Sequence, residues 1–130
     1  MAKIPNRPQR QKVITVRRGD VFLVSFDPTV GHEIRKTRPA LVIQNNVGNR
    51  YSPLTIVAAI TSKVSTVSYP VEVVIQPSKA NGLEAVSAIR LDQIRTVDRQ
   101  RLTKHLGVAD SATMNKVDAA IQISLGLVEI

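Results

Sequence analysis

The sequence predicts a mainly β chain of the α+β class, in which five short strands bend into a small barrel closed by one C-terminal helix. Three observations carry this. Short apolar runs recur between Pro, Gly and Asn turn signals, the spacing of strands in a small all-β body. The first run is largely apolar on both faces: Val21, Leu23 and Ser25 on one, and Phe22, Val24 and Phe26 on the other, as in a strand buried inside a barrel. Near the end, Met114, Val117, Ile121 and Leu125 follow helical spacing, with Lys116 and Asp118 on the other side.

Taken in order, Arg18-Gly19-Asp20 opens the first strand and Asp27-Pro28 ends it. A loop over 28–37 leads to a second strand from Pro39 to about Gln44. Residues 45–49 (Asn-Asn-Val-Gly-Asn) are turn chemistry with room for one helical turn. Thr55 to Ile60 is the third strand. Val71 to Ile75, bracketed by Pro70 and Pro77, is the fourth. Asn81-Gly82 is a turn whose flanking spacing does not make a tight hairpin. Val86 to Leu91 is the fifth strand, with an extension through Ile94 to Val97. Asp98 is placed to cap a short helix through Leu102, the stretch around His105 reads as a linker, and Asp110 or Ser111 caps the last helix.

At 130 residues the chain is expected to be one domain, long enough to bury a core without staples. It has no cysteine, which excludes disulfides and thiolate chemistry and fits a reducing cytoplasm. No apolar run approaches the roughly 18 residues needed to span a bilayer. The net charge of +8 is uneven: residues 1–18 hold six cations (Lys3, Arg7, Arg10, Lys12, Arg17, Arg18) and no acid. Residues 1–16 are expected to be a disordered basic tail, either an attractor for polyanions or a solvated leader, and residues 17–130 the folded domain.

Two His residues and no Cys leave no zinc set, and no cofactor is implied. Walker-type and Gly-x-Gly-x-x-Gly phosphate loops and a Ser-centred nucleophile elbow are absent, which removes nucleotide hydrolases, dehydrogenases and common esterases. What remains is polar groups at strand ends. The loop from Gly31 through His32, Glu33, Arg35, Lys36 and Thr37 is dense in cations and runs into Arg38-Pro39. Pro39 biases Arg38 towards extended geometry, so its guanidinium is mounted at a strand mouth. A fixed guanidinium suits a phosphate, although an Arg before Pro also suits a neighbouring carbonyl. Thr61, Ser62 and Lys63 end the third strand. Arg90 and Asp92 share a face of the fifth strand, either as a salt bridge at the rim or as part of a site; Gln93 follows. His32 is either a surface residue or a proton carrier. Tyr51, beside Asn49 and Arg50, either stacks a base or caps the barrel.

Taken together, these segments resemble the MazF/PemK family of toxin endoribonucleases. Arg18-Gly19-Asp20-Val21 is similar to its opening strand, and Gly31-His32-Glu33 with Thr37-Arg38-Pro39-Ala40-Leu41-Val42-Ile43 to its loop and second strand. Ala59-Ile60-Thr61-Ser62 is similar to the end of its third strand, and Leu91-Asp92-Gln93-Ile94-Arg95-Thr96-Val97-Asp98 to its late Asp-Gln-x-Arg-Thr segment. Four matches in order run from about Arg17 to Ile130.

The resemblance implies an SH3-like, five-stranded barrel with a C-terminal helix (MazF/PemK/CcdB-like) and a cytoplasmic homodimer. It implies a toxin that cleaves single-stranded RNA, mRNA in particular, at a short sequence without metal, and that a small MazE-like antitoxin neutralises. Some members assign catalysis to the positions of Arg38 and Thr61, others to those of His32, Arg90 and Asp92; the chain carries both sets. RNA recognition is expected from Glu33, Arg35, Lys36, Thr37, Asn45, Asn49, Arg50, Tyr51, Ser62, Lys63 and Gln93. The alternative within the same superfamily is a non-catalytic relative that binds a protein such as a topoisomerase.

Overall fold

The computed structural model describes residues 14–129. Its elements are β1 (Asp20–Ser25), β2 (Thr37–Val42), α1 (Asn46–Tyr51), β3 (Leu54–Thr61), β4 (Glu72–Ile75), β5 (Ser87–Asp98), a 3-10 turn (Arg99–Arg101), β6 (Leu102–Val108) and α2 (Ser111–Ser124). The strands form one antiparallel sheet in the order β4-β5-β3-β2-β1-β6. The mainly β class with a C-terminal helix holds. Two details differ from the expected five-stranded barrel: there are six strands, and the sheet is open, since β4 and β6 lie at its two edges.

The sixth strand replaces the expected linker. Leu102 is buried between flanking polar residues that alternate too weakly to announce a strand. The pairing supplies the order: residues 102–108 run along β1, with register shifts on either side of Phe22 and Leu23. His105 thereby gains neighbours. Its ring meets Phe22 edge-on at 5.0 Å between centroids, and its Nε2 lies 3.4 Å from Asp20 Oδ1.

Alternation divides the core in two. Val21, Leu41, Ala58, Ile60, Ile89 and Leu91 face one way and pack with Val117 and Ala120 of α2. Phe22, Val24, Phe26, Ala40, Val42, Val57, Ala59 and Val97 face the other way and pack together without the helix. Both faces of the central strands are buried, as the double apolar pattern of residues 21–26 requires. In α2, Val117 is fully buried, while Leu125 is 60% exposed because the helix ends at Ser124 and Leu125 is its C-cap. Asp98 caps the 3-10 turn through the N–H of Gln100, and Asp110 caps α2 through the N–H of Thr113.

The N-terminal boundary also moves. Residues 1–13 of the expected tail lie outside the described residues. Val16 does not belong to a tail: it is 5% exposed and packs in the second core cluster. We expect Val16→Ala to cost about 2 kcal/mol, read as a lower urea midpoint, from lost burial and the space left behind. Removal of residues 1–16 should lower the melting temperature more than removal of 1–13.

The cap of α2 gives a pH signature. The Thr113 N–H, helped by the Thr113 hydroxyl, holds the Asp110 carboxyl below its ordinary value. A lowered folded pKa stabilises above the unfolded value, and that stability is lost as the pH falls through the folded one. Thermal melts between about pH 6 and 2 should therefore show a shallower acid limb for Asp110→Asn, which still caps, than for the wild type. Asp110→Ala should lower the melting temperature already at neutral pH.

Candidate active site

The groove is built by a register. Ala40 pairs with Ala59 across β2 and β3; Arg38 and Thr61 lie two residues beyond that pair on the two strands, on the same side-chain face by alternation. Ala59 in turn pairs with Arg90 on β5, and Arg90 with Glu72 on β4. Directly opposed residues share a face, so Arg38, Thr61 and Arg90 all project from the side whose interior holds Phe22, Ala40 and Ala59. The apolar face of the sheet becomes polar at this end.

A bulge adds the next residues. Ala58 faces Ile94 while its neighbour Ala59 faces Arg90, so residues 91–93 have no partner on β3. Extra residues in a strand bend it and re-aim its side chains. Gln93 turns to the 28–36 loop, where its Oε1 accepts the Ile34 N–H at 3.4 Å. That loop is tied down at its base. Phe26 N–H donates to Lys36 O, Lys36 N–H donates to Asp27 Oδ1, and Arg101 donates to the carbonyls of Ser25 and Asp27. Lys36 itself holds φ 67, an uncommon conformation for a side-chain-bearing residue, stabilised by these two bonds.

Together these elements line an open groove of about 430 Å³. His32, Glu33, Arg35 and Lys36 come from the loop, Arg38 from β2, Thr61, Ser62 and Lys63 from the end of β3, and Arg90 and Gln93 from β5. Gly31 and Ile34 complete it, and sequence reasoning did not select them as site residues. Glu33 is partly engaged by the loop, since its Oε1 accepts the Val30 N–H at 2.7 Å. Thr37 precedes Arg38 on β2 but is not among the lining residues. Among the described residues, no three His, Cys, Asp or Glu side chains gather where they could hold a metal ion.

The two strand-borne arginines differ in electrostatic state. Arg90 Nε and Nη2 donate to the two oxygens of Asp92 at 2.9 and 2.7 Å, Glu72 Oε2 lies 4.0 Å from Nε, and the Tyr69 ring centroid lies 5.9 Å from the guanidinium carbon. The hydrogen bond with Asp92, followed by the charges of Asp92 and Glu72, holds its proton even more firmly than usual. Arg90 and Asp92 thus neutralise each other at the groove wall: the rim salt bridge is real, and Arg90 lines the groove as well. Arg38 has no ion pair among the described residues. Its Nε donates to Arg35 O at 3.2 Å, which anchors the fork and leaves both terminal nitrogens for a ligand. Thr61 Oγ1 accepts the Lys63 N–H at 3.1 Å, so its own proton is available to donate.

Four expected RNA contacts lie elsewhere. Asn45, Asn49, Arg50 and Tyr51 belong to α1 and its cap, at the opposite end of β3 from Thr61. Asn49 is corrected as a base reader. It is 1% exposed, and its amide is spent on Gln44 O, Gln44 Nε2, Asn46 Oδ1 and Thr55 Oγ1. Asn45 accepts the Gly48 N–H as the helix cap. Tyr51 is 75% exposed and therefore caps no core. These side chains looked alike in sequence because a turn rich in Asn serves structure and recognition equally well.

The described residues thus form a six-stranded antiparallel sheet with a C-terminal helix and a cationic groove at the mouth of β2 and β3, a surface suited to a polyanion. Residues 17–125 match the family model of the PemK-like, MazF-like toxin of type II toxin-antitoxin systems, and the chain belongs to that family. It is 49% identical over 114 residues to the endoribonuclease EndoA of Bacillus subtilis, covering 88% of this chain and 97% of that one. The fold is similar to MazF from Deinococcus radiodurans (TM-score 0.73, 28% identity, 87% of this chain and 98% of that chain). It is also similar to a mycobacterial endoribonuclease solved in complex with its cognate antitoxin (TM-score 0.72, 27% identity, 88% and 99%).

The Arg90 cluster makes a stability prediction. Glu72 keeps only 4% of its side chain exposed. Arg90→Met should cost about 1–3 kcal/mol, because it leaves the Glu72 carboxylate buried beside the hydroxyl and N–H of Ser65 without a cation. Asp92→Asn should cost about 1 kcal/mol or less, because Glu72 still faces Arg90. Urea melts of both variants read the difference.

Proposed function

We propose that this chain is an endoribonuclease toxin of a type II toxin–antitoxin system, cutting single-stranded RNA, mRNA in particular, at a short sequence in the cytoplasm. The observation that carries the chemistry is that Arg38, in no ion pair among the described residues, and Thr61 line one groove rich in cations.

The attacking group is the 2′-hydroxyl of the RNA itself. A bond forms from the 2′-oxygen to phosphorus and the bond to the 5′-oxygen breaks, leaving a cyclic phosphate and a 5′-hydroxyl. The fork of Arg38 meets two phosphate oxygens, and the Thr61 proton adds a third donor as negative charge grows on them. The proton leaving the 2′-hydroxyl ends on the departing 5′-oxygen, and His32, in the same groove, is the side chain that carries it. Arg90 and Asp92 do not exchange protons in this reading. Their mutual pairing shapes the wall opposite the loop. No step calls on a metal ion. Ser62, Lys63, Gln93, Arg35 and Lys36 hold the flanking nucleotides.

The partners follow from the relatives. A solved Deinococcus structure pairs MazE with MazF at 28% identity to this chain. A MazE-like antitoxin with an acidic segment would occupy the cationic groove and block it, and the active unit is a homodimer. Among the described residues no helix is long and apolar enough to cross a membrane.

Purified protein incubated with single-stranded RNA in excess chelator should produce 5′-hydroxyl and cyclic-phosphate ends. Arg38→Ala should lower kcat/KM by about 100- to 1,000-fold with the fold intact, and Thr61→Val by less. His32→Ala should lower kcat by about 100-fold; a near-normal rate would remove His32 from the chemistry. Undiminished cleavage by Arg38→Ala would sink the proposal.

A further inference from the structure

We infer that the chain carries a second RNA-binding site, remote from the cleavage groove, that grips the phosphate backbone and stacks a base of the same single strand. The inference rests on the endoribonuclease reading, which supplies RNA as the ligand.

The site is a cavity of about 430 Å³ between the segment entering β1, helix α1 and the 3-10 turn. Arg17, Arg50 and Arg99 line it, with Thr15, Val16 and Asn46, and no Asp or Glu lines it among the described residues. It lies at the Thr55 end of β3, where Asn49 bonds Thr55, whereas the cleavage groove lies at the Thr61 end. Six residues of strand separate the two by roughly 20 Å.

The geometry is fixed from below. Arg99 donates to the carbonyls of Asn49 and Ile14, and its own N–H donates to Pro53 O, so it clamps the floor rather than waiting for a ligand. That leaves Arg17 and Arg50, both exposed and in no ion pair among the described residues, as the ligand-facing cations. By contrast, the adjacent Arg18 is spent on Asp118 at 2.7 Å. Next to Arg50 stands Tyr51, 75% exposed, with its ring centroid 5.4 Å from the guanidinium carbon. Exposed aromatic area beside unpaired guanidinium groups is what single-stranded nucleic acid uses: phosphates for the cations, a π-face for a base. An acidic protein segment would want only the charges and would leave Tyr51 without a purpose.

The test measures binding of uncleavable 2′-O-methyl RNA to the full chain, with a strand of about 16 nucleotides and one of about four. The variants are Arg17→Gln with Arg50→Gln, and Tyr51→Ala alone; these exposed side chains can be changed without touching Arg99. For the long strand, the double variant should weaken binding about tenfold or more and lower the slope of log K against log salt by about 1.4, two single-strand phosphate contacts. Tyr51→Ala should weaken it at least fivefold. The short strand, which fits the cleavage groove alone, should bind all proteins alike. Long-strand affinity and slope unchanged in both variants would overturn the second site while leaving the endoribonuclease reading intact. Failure of the unmodified protein to bind either strand would overturn that reading and the second site with it. Loss of affinity for an acidic peptide, with RNA binding retained, would assign the cavity to a protein and overturn the RNA site.

Discussion

The register between β2 and β3 is the constraint on which the site depends. A strand has a side-chain period of two, so a slip by one residue would turn Arg38 into the core and Leu41 to the opposite face. The pairing Ala40 to Ala59 cannot slip cheaply, because Val42 with Val57 and Leu41 with Ala58 are fully buried on the two faces of the sheet. Hydrophobic burial therefore sets the positions of Arg38 and Thr61, the pair proposed to act on the phosphate. Pro39, the third residue of β2, adds to this by keeping Arg38 extended.

The groove works by contrast between two guanidinium groups on neighbouring rungs. Arg90 is held between Asp92 and Glu72 and stacked against Tyr69, so its charge is largely answered by the protein. Arg38 is anchored through Nε only, and its charge is unanswered among the described residues. A cation kept unpaired costs the protein stability through repulsion with Arg35, Lys36 and Lys63, and a phosphate bound there, as proposed, would offset that cost. The same contrast recurs at the other end of β3, where Arg18 is paired and Arg17 and Arg50 are not.

Much of this was legible in the residues, and what was not has physical causes. The double apolar face of residues 21–26, the proline-bracketed fourth strand and the helical spacing of Met114, Val117 and Ile121 each reported burial directly. The sixth strand was not legible, because Lys104 and His105 are edge residues whose order comes from pairing with β1 and not from their own pattern. Leu125 looked like helix interior because periodicity does not register where a helix stops. In the site, the loop and the ends of three strands were identified by residue type, yet their meeting depends on the bulge at residues 91–93, which nothing local in the sequence marks. Asn49 was misread because a buried amide that satisfies a turn and a base-reading amide have the same chemistry; only burial separates them. Val16 was assigned to the tail because one apolar residue among cations carries no period.

The most direct measurement is a structure of the chain bound to an RNA whose scissile nucleotide lacks its 2′-hydroxyl, so that cleavage stalls with the strand in place. The scissile phosphate is expected between β2 and β3, with the terminal nitrogens of Arg38 about 2.7–2.9 Å from its two non-bridging oxygens and the Thr61 hydroxyl pointing at one of them. A phosphate lodged instead against Arg90, with Arg38 turned away to solvent or to its own loop, would contradict this.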